Sequence, residues 1–97
     1  MKTFEEIKGI LIRKKDEVLG KYKVKEIGIF GSVVRGETKQ KSDIDILVDF
    51  YEIPDLIKFI ELEGYLEKLL KSRVDLVDKQ GLKPRIKETI LSEVFYI

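Results

Sequence analysis

The chain has 97 residues, of which 43% are hydrophobic and 38% are charged, and its formal net charge is +1. These values predict one compact domain spanning residues 1–97, and the balanced charge gives no reason to expect direct binding to nucleic acid. The sequence contains no cysteine and no histidine, which excludes disulfides, zinc fingers and histidine-based catalysis and leaves carboxylates, lysines, tyrosines or a hard metal ion.

The N-terminal segment predicts an α-helix. Thr3 followed by Glu6 is typical of a capping box, and Gly20 is a typical C-terminal signal. Apolar residues recur between them at helical spacing: Phe4, Ile7, Leu11 and Val18. The segment lacks the apolar run of a signal peptide, and no stretch approaches membrane-spanning length, which predicts a cytoplasmic protein without a membrane partner.

Two strands are predicted next. Residues 27–30 form an apolar run that Gly31 ends, residues 32–36 suit one short helical turn, and residues 37–41 suit a polar loop. Residues 43–50 place isoleucine and valine at every second position, which favours a half-buried strand. The link between the two strands is too short for a full crossover, so an antiparallel pair is expected.

The second half of the chain alternates helix and strand. Pro54 predicts the start of a long helix, residues 73–77 a third strand, residues 79–83 a turn, and Pro84 the start of a last helix. One face of the long helix is expected to be buried, and it consists of Leu56, Phe59, Ile60, Leu66 and Leu70. The apolar end of the chain favours either a docking patch or packing onto the core, and it consists of Leu91, Phe95, Tyr96 and Ile97. The order predicts an α/β (α+β) fold with a single small mixed β-sheet of about three strands and helices packed on it.

Two carboxylates on the second strand indicate a metal site. Asp43 and Asp45 are two residues apart, so their side chains leave the same face of the strand, roughly 7 Å apart at the backbone. Two like charges this close repel each other and raise a pKa unless a cation lies between them. Oxygen ligands in a chain without histidine or cysteine favour Mg²⁺, which shares a few carboxylates with substrate phosphates.

A third acid would complete a site for two metal ions. Asp75 is the best candidate because it lies in the middle of the third predicted strand, between apolar neighbours. Asp49 shares a face with Asp45 but lies about 13 Å further along the strand. Asp78 has the opposite parity to Asp75 and is expected to face away. Asp49 and Asp78 are therefore excluded from the predicted site.

A glycine–serine pair before the acids suggests a phosphate-binding turn. Gly31 and Ser32 follow a strand and precede a helical turn, where backbone N–H groups and a hydroxyl can hold phosphate oxygens. Ser42, just before the acidic pair, could add another donor. The spacing differs from a Walker-type loop, which the sequence lacks.

Together these residues carry a family resemblance. The pattern Gly31-Ser32, ten residues, then Asp43-x-Asp45 resembles the signature of the polymerase-β-like nucleotidyltransferases. The longer form, with Arg35-Gly36 after the serine, is similar to the minimal nucleotidyltransferase (MNT) proteins, and the similarity spans nearly the whole chain. Position 34 is valine, where a smaller residue such as alanine is expected, and this affects packing more than chemistry.

The resemblance implies a specific reaction. Asp43, Asp45 and Asp75 would bind Mg²⁺, as two ions, and Gly31 and Ser32 would bind the triphosphate of ATP, with Ser42 as the further donor suggested by its position. MNT proteins are antitoxins that transfer AMP from ATP to a tyrosine of a partner HEPN-domain RNase toxin and silence it. The expected partners are therefore a HEPN toxin and a nucleoside triphosphate.

Several alternatives stay open from the sequence alone. The enzyme could act on RNA or a small molecule, or the protein could neutralise its partner by binding alone; a glycosyltransferase is disfavoured by the short chain. Asp43 and Asp45 could be a solvated strand edge, and Asp75 could pair with Arg73 or Arg35. The glycine–serine pair could be a simple turn and helix cap. Arg35 itself could contact phosphate or form a structural salt bridge.

Overall fold

The computed structural model describes residues 3–37 and 43–97. Its elements are α1 (Phe4–Tyr22), β1 (Val24–Phe30), β2 (Ile44–Phe50), α2 (Leu56–Leu70), β3 (Val74–Asp78), a 3₁₀ turn (Lys79–Gly81), α3 (Pro84–Glu93) and β4 (Phe95–Tyr96). Within the described ranges, none of these helices has the length and apolar character needed to cross a lipid bilayer.

Helix α1 begins where the sequence predicts and ends later. The Thr3 hydroxyl oxygen accepts the Glu6 N–H, and the Glu6 carboxylate accepts the Thr3 N–H, which confirms the capping box. Gly20 does not end the helix. The helix continues to Tyr22 and stops at Lys23, whose φ of 54° is left-handed and whose N–H bonds to the Leu19 carbonyl. A lysine in this conformation carries no glycine-like signal, so the end of the helix was not predictable.

The strands form one mixed sheet in the order β3-β2-β1-β4. Strands β1 and β2 run antiparallel, as predicted from their short link, and β3 lies parallel to β2 after the α2 crossover. This confirms the mixed sheet and the α/β class. The prediction of about three strands omitted β4, in which Phe95 pairs with Ile29 and Tyr96 with Gly28. The C-terminal residues therefore extend the sheet.

The core lies between one face of the sheet and the helices α1 and α2. Strand β2 contributes Ile44, Ile46 and Val48, which are at most 1% exposed. Helix α2 contributes the buried residues Leu62, Leu66 and Leu70. The expected burial of Leu56 and Ile60 was wrong, since they are 72% and 56% exposed. At about 100° per residue, Ile60 points roughly 120° away from the centre of the buried stripe. Leu56 is the first residue of the helix and precedes the stripe, which starts at Leu62.

Gly28 allows the C-terminal segment to approach β1. A Cβ atom at this position would lie 2.6 Å from Val94 Cγ2 and 3.1 Å from the Phe95 carbonyl oxygen. We therefore expect Gly28→Ala to displace β4 and to lower the free energy of unfolding by about 1–3 kcal/mol, as overpacking does. Urea unfolding followed by circular dichroism measures this.

The matched control is Gly64→Ala, in the interior of α2, where an added Cβ meets nothing within 4 Å. Alanine there should stabilise the protein by roughly 0.5–1 kcal/mol through its helix propensity. Equal effects of the two substitutions would contradict the close approach of the C-terminal segment to Gly28.

Candidate active site

The acids Asp45 and Asp75 lie side by side in the sheet. They are direct register partners on the parallel strands β2 and β3, and partners in register project their side chains from the same face. Asp43 lies just before β2 and has the same parity as Asp45. The structure therefore brings the three predicted acids to one face, opposite the face that packs on α1 and α2. Asp75 is exposed because β3 is an edge strand.

The surroundings of Asp45 shift the pKa of its carboxyl. Burial raises the pKa of its carboxyl to about 6, and the negative charges of Asp75 and Asp43 contribute in the same direction. The guanidinium of Arg35 lowers this pKa, and the carboxylate of Glu93 raises it. The repulsion expected from the sequence is therefore present, and a cation bound between the acids would relieve it.

Gly31 packs directly against Asp45. Its φ of +81° lies in the left-handed region, which favours glycine. A Cβ atom would overlap Asp45 Oδ2 and lie 2.8 Å from its Cγ. Glycine is thus required at this position both by the backbone conformation and by the space that the Asp45 carboxylate occupies.

The residues after Gly31 form a hydrogen-bonded turn. The Gly31 carbonyl oxygen accepts hydrogen bonds from the N–H groups of Val34 and Arg35, at 3.2 and 3.3 Å. The N–H groups of Ser32 and Val33 donate to no other residue in the described ranges. The predicted helical turn therefore exists, and it presents two backbone donors beside the Ser32 hydroxyl, which is the pattern that holds phosphate oxygens. Ser42, the other predicted phosphate ligand, lies outside the described residues.

The two acids that the sequence excluded have other roles. Asp49 is 6% exposed, and its Oδ1 accepts a hydrogen bond from Gln80 Nε2 at 3.1 Å. Asp78 caps the 3₁₀ turn by accepting the backbone N–H of Gln80 at 3.0 Å. Both carboxylates are therefore satisfied within the protein.

Arg35 and Glu93 complete the surroundings of the site. Arg35 Nε donates to Glu37 Oε2 at 3.2 Å, and its Nη1 donates to Glu93 Oε2 at 2.9 Å. Arg35 thus forms salt bridges with these two glutamates rather than with Asp75. Sequence reasoning missed Glu93, because its partners are distant along the chain and no local pattern marks it.

The donor set suits a hard cation that is shared with a substrate. In the parts of the chain that the structure describes, no three acidic side chains are gathered tightly enough to enclose a metal ion by themselves. Mg²⁺ rarely uses such a cage; it binds one or two carboxylates, waters and substrate phosphates. The adjacent Asp45 and Asp75, with a turn that could hold phosphate beside them, fit that mode of binding.

Comparisons with known proteins show which proteins this chain is similar to. Residues 11–97 match the family model described as a nucleotidyltransferase domain. A protein of Thermococcus cleftensis named protein adenylyltransferase MntA is 60% identical over 97 residues, which cover 100% of this chain and 98% of that protein. A chain in the crystal structure of a toxin–antitoxin with AMP-PNP is 30% identical, with a TM-score of 0.73, covering 87% of this chain and 69% of that one. A chain from the complex of a tri-AMPylated Shewanella oneidensis HEPN toxin with an MNT antitoxin is 28% identical, with a TM-score of 0.65. The match covers 87% of this chain and 66% of that one.

Proposed function

Because the chain belongs to the nucleotidyltransferase domain family, we propose that it is a Mg²⁺-dependent protein adenylyltransferase. In this proposal it transfers AMP from ATP to a tyrosine of a partner HEPN-domain toxin and thereby neutralises that toxin. The observation that carries the proposal is the register pair Asp45–Asp75 beside the turn that begins at Gly31. The protein's similarity to a named adenylyltransferase and to a chain from a complex with an AMPylated HEPN toxin supports the choice of nucleotide and acceptor.

The three acids would hold the metal. Asp45 and Asp75 lie on adjacent strands and Asp43 precedes the first of them, so their carboxylates can share one or two cations with the triphosphate. When bound, Mg²⁺ neutralises the negative charge that develops on the transferred phosphate.

The turn would bind the triphosphate. The N–H groups of Ser32 and Val33, which bond to nothing else in the described part of the chain, and the Ser32 hydroxyl point to a short anion-binding site at the end of β1. Gly31 lets this turn lie against Asp45 without a side chain between them. Ser42 stays part of the proposal on its spacing from Asp43 alone.

The transfer itself is an in-line substitution at the α-phosphorus. The acceptor hydroxyl oxygen forms a bond to the α-phosphorus, and the bond from that phosphorus to the β-bridging oxygen breaks, so pyrophosphate leaves. The hydroxyl proton passes to a carboxylate, for which Asp75 is the best placed because it is exposed on the edge strand. The chain has no histidine to act as a base.

The acceptor is expected to be another macromolecule. A chain of 97 residues that uses one sheet face for nucleotide and metal has little surface left to enclose a small acceptor. We also propose that the whole chain acts as one catalytic domain and that the reaction takes place in the cytoplasm, where ATP is supplied.

The test is transfer from α-³²P-ATP in the presence of Mg²⁺ and a purified HEPN partner. We expect the label on the partner protein and its loss when EDTA is added or when the acceptor tyrosine is changed to phenylalanine. Label on RNA or on a small molecule would overturn the choice of acceptor. Neutralisation that survives the double change Asp43→Asn and Asp45→Asn, with binding intact, would overturn catalysis as the mechanism.

A further inference from the structure

Glu93, the last residue of α3, makes two contacts with the turn after β1. Its Oε1 accepts the backbone N–H of Gly31 at 3.1 Å. Its two carboxylate oxygens also accept hydrogen bonds from Arg35 Nη1, at 3.1 and 2.9 Å. One carboxylate therefore holds both the first backbone group of the turn and the guanidinium near its end.

The position of Glu93 is unfavourable for α3 itself. A negative charge at the C-terminus of a helix opposes the helix dipole, and the last turn of α3 contains no basic residue to offset it. The carboxylate also adds negative charge near Asp45. Its side chain is only 22% exposed, so it is held against the turn rather than solvated. These costs indicate that Glu93 acts on the turn rather than on its own helix.

Movement of the turn would be transmitted directly to Asp45. Gly31 packs so closely on that carboxylate that even a Cβ atom does not fit. A small displacement of Gly31 therefore changes both the backbone donors of the turn and the space for the carboxylate. Arg35 is fixed as well, because Glu37 binds its Nε edge while Glu93 binds its Nη1.

We propose that Glu93 is a positioning residue for the phosphate-binding turn. It acts through Gly31 and Arg35, does not touch the substrate, and sets the distance between the turn and Asp45 at which ATP binds. This inference rests on the proposed function, since it requires that the turn hold the triphosphate.

The test compares Glu93→Ala with Glu93→Gln. Alanine removes the acceptor for Gly31 and Arg35, and we expect it to raise the KM for ATP about tenfold, the effect of losing one charge-assisted hydrogen bond, with kcat within about threefold of wild type. Glutamine keeps an oxygen for the Gly31 N–H but loses the charge that pairs with Arg35. It is expected to raise KM only about threefold, a partial rescue. The Kd of a non-hydrolysable ATP analogue with Mg²⁺, measured by calorimetry, should follow KM.

The matched control is Glu88→Ala, the same substitution on the same helix at an exposed residue. It should leave KM, kcat and the thermal midpoint within error of wild type. If Glu93→Ala does not fold, Glu93→Gln carries the test: a KM raised about threefold supports the proposal and an unchanged KM overturns it.

Other results separate this inference from the proposed function. If wild type binds the analogue and transfers AMP while both Glu93 variants match it in KM, the positioning role is wrong and the function stands. Tighter binding of the ATP analogue by Glu93→Ala would also overturn the positioning role. It would mean that the carboxylate competes with phosphate for the Gly31 N–H. If wild type neither binds nucleotide nor transfers AMP, both proposals fall.

Discussion

Asp45→Asn is expected to lower the rate of AMP transfer by about a thousandfold or more, which corresponds to roughly 4 kcal/mol of transition-state stabilisation. Asp45 is central because it lies between Asp43, just before its own strand, and Asp75 on the next strand. Asparagine keeps the shape of the side chain but removes the charge that attracts the cation. Single-turnover transfer of labelled AMP at saturating Mg²⁺ measures the loss.

Asp49→Asn is the matched control for this substitution. It makes the same chemical change on the same strand and the same face, and the asparagine Oδ1 can still accept the hydrogen bond from Gln80. Transfer by this variant should stay within a few-fold of wild type. A comparable loss in both variants would mean that charge on this face, rather than Asp45, controls the reaction.

Asp45→Asn should also be more stable than wild type in the absence of metal. The pKa of Asp45 is raised to about 6 in the folded protein, from its ordinary value of 3.8. The folded state therefore binds the proton more tightly, and the stability that this provides is complete below about pH 4 and is lost as the pH rises through 6. Asp45→Asn does not undergo this loss.

In EDTA at pH 7.5, the variant is expected to unfold with a free energy higher than wild type by about 1 kcal/mol, a value reduced for solvent screening of a partly exposed group. Urea midpoints at pH 4 and pH 7.5 measure the gap between the two proteins. A gap that does not widen with pH would contradict the raised pKa of Asp45, which burial causes first and the charges of Asp75 and Asp43 increase.

Gly31→Ala should strongly reduce the rate of AMP transfer by a different route. Its φ of +81° makes any side chain unfavourable by roughly 1–2 kcal/mol, and the new methyl group would overlap Asp45 Oδ2. Either the turn or the carboxylate must move, so we expect transfer to fall at least about a hundredfold, similar to the loss of a key electrostatic contact. Binding of an ATP analogue and transfer should both be measured.

Gly36→Ala separates backbone strain from this collision. Gly36 also has a positive φ, of +75°, but an added Cβ there meets no atom of residues 3–37 and 43–97 within 4 Å. It should lose a similar amount of stability from strain alone while keeping most of its activity. Equal losses of activity in the two variants would show that strain in the turn, and not contact with Asp45, explains the effect.

The parts of the fold that depend on local patterns were predictable. The capping box of α1 needs only Thr3 and Glu6, three residues apart, and the shared face of Asp43 and Asp45 follows from the two-residue period of a strand. The alignment of Asp75 with Asp45 combined that period with the expectation of a neighbouring strand, and the register confirms that they share a face. The family resemblance to nucleotidyltransferases is confirmed by the match to residues 11–97. The catalytic and binding roles of the individual residues stay predictions.

The missed features depend on contacts between distant residues. Strand β4 has only two residues, Phe95 and Tyr96, and becomes a strand because Gly28 leaves room beside β1. Glu93 meets Arg35 and Gly31 across 58 and 62 positions of sequence. No periodicity or local motif encodes such a meeting, which the tertiary fold alone creates.

Because β3 is an edge strand, the charge of Asp75 also bears on how the sheet meets other protein chains. An edge strand exposes unpaired backbone groups that can recruit another sheet, and charged side chains on the edge discourage this. The opposite edge is β4, which is too short to offer much of a template. A carboxylate at position 75 is therefore expected to disfavour self-association, independently of its role in the reaction. Loss of activity in Asp75→Asn should be interpreted beside Asp75→Glu, which keeps the charge, with the molecular mass of both variants checked by light scattering.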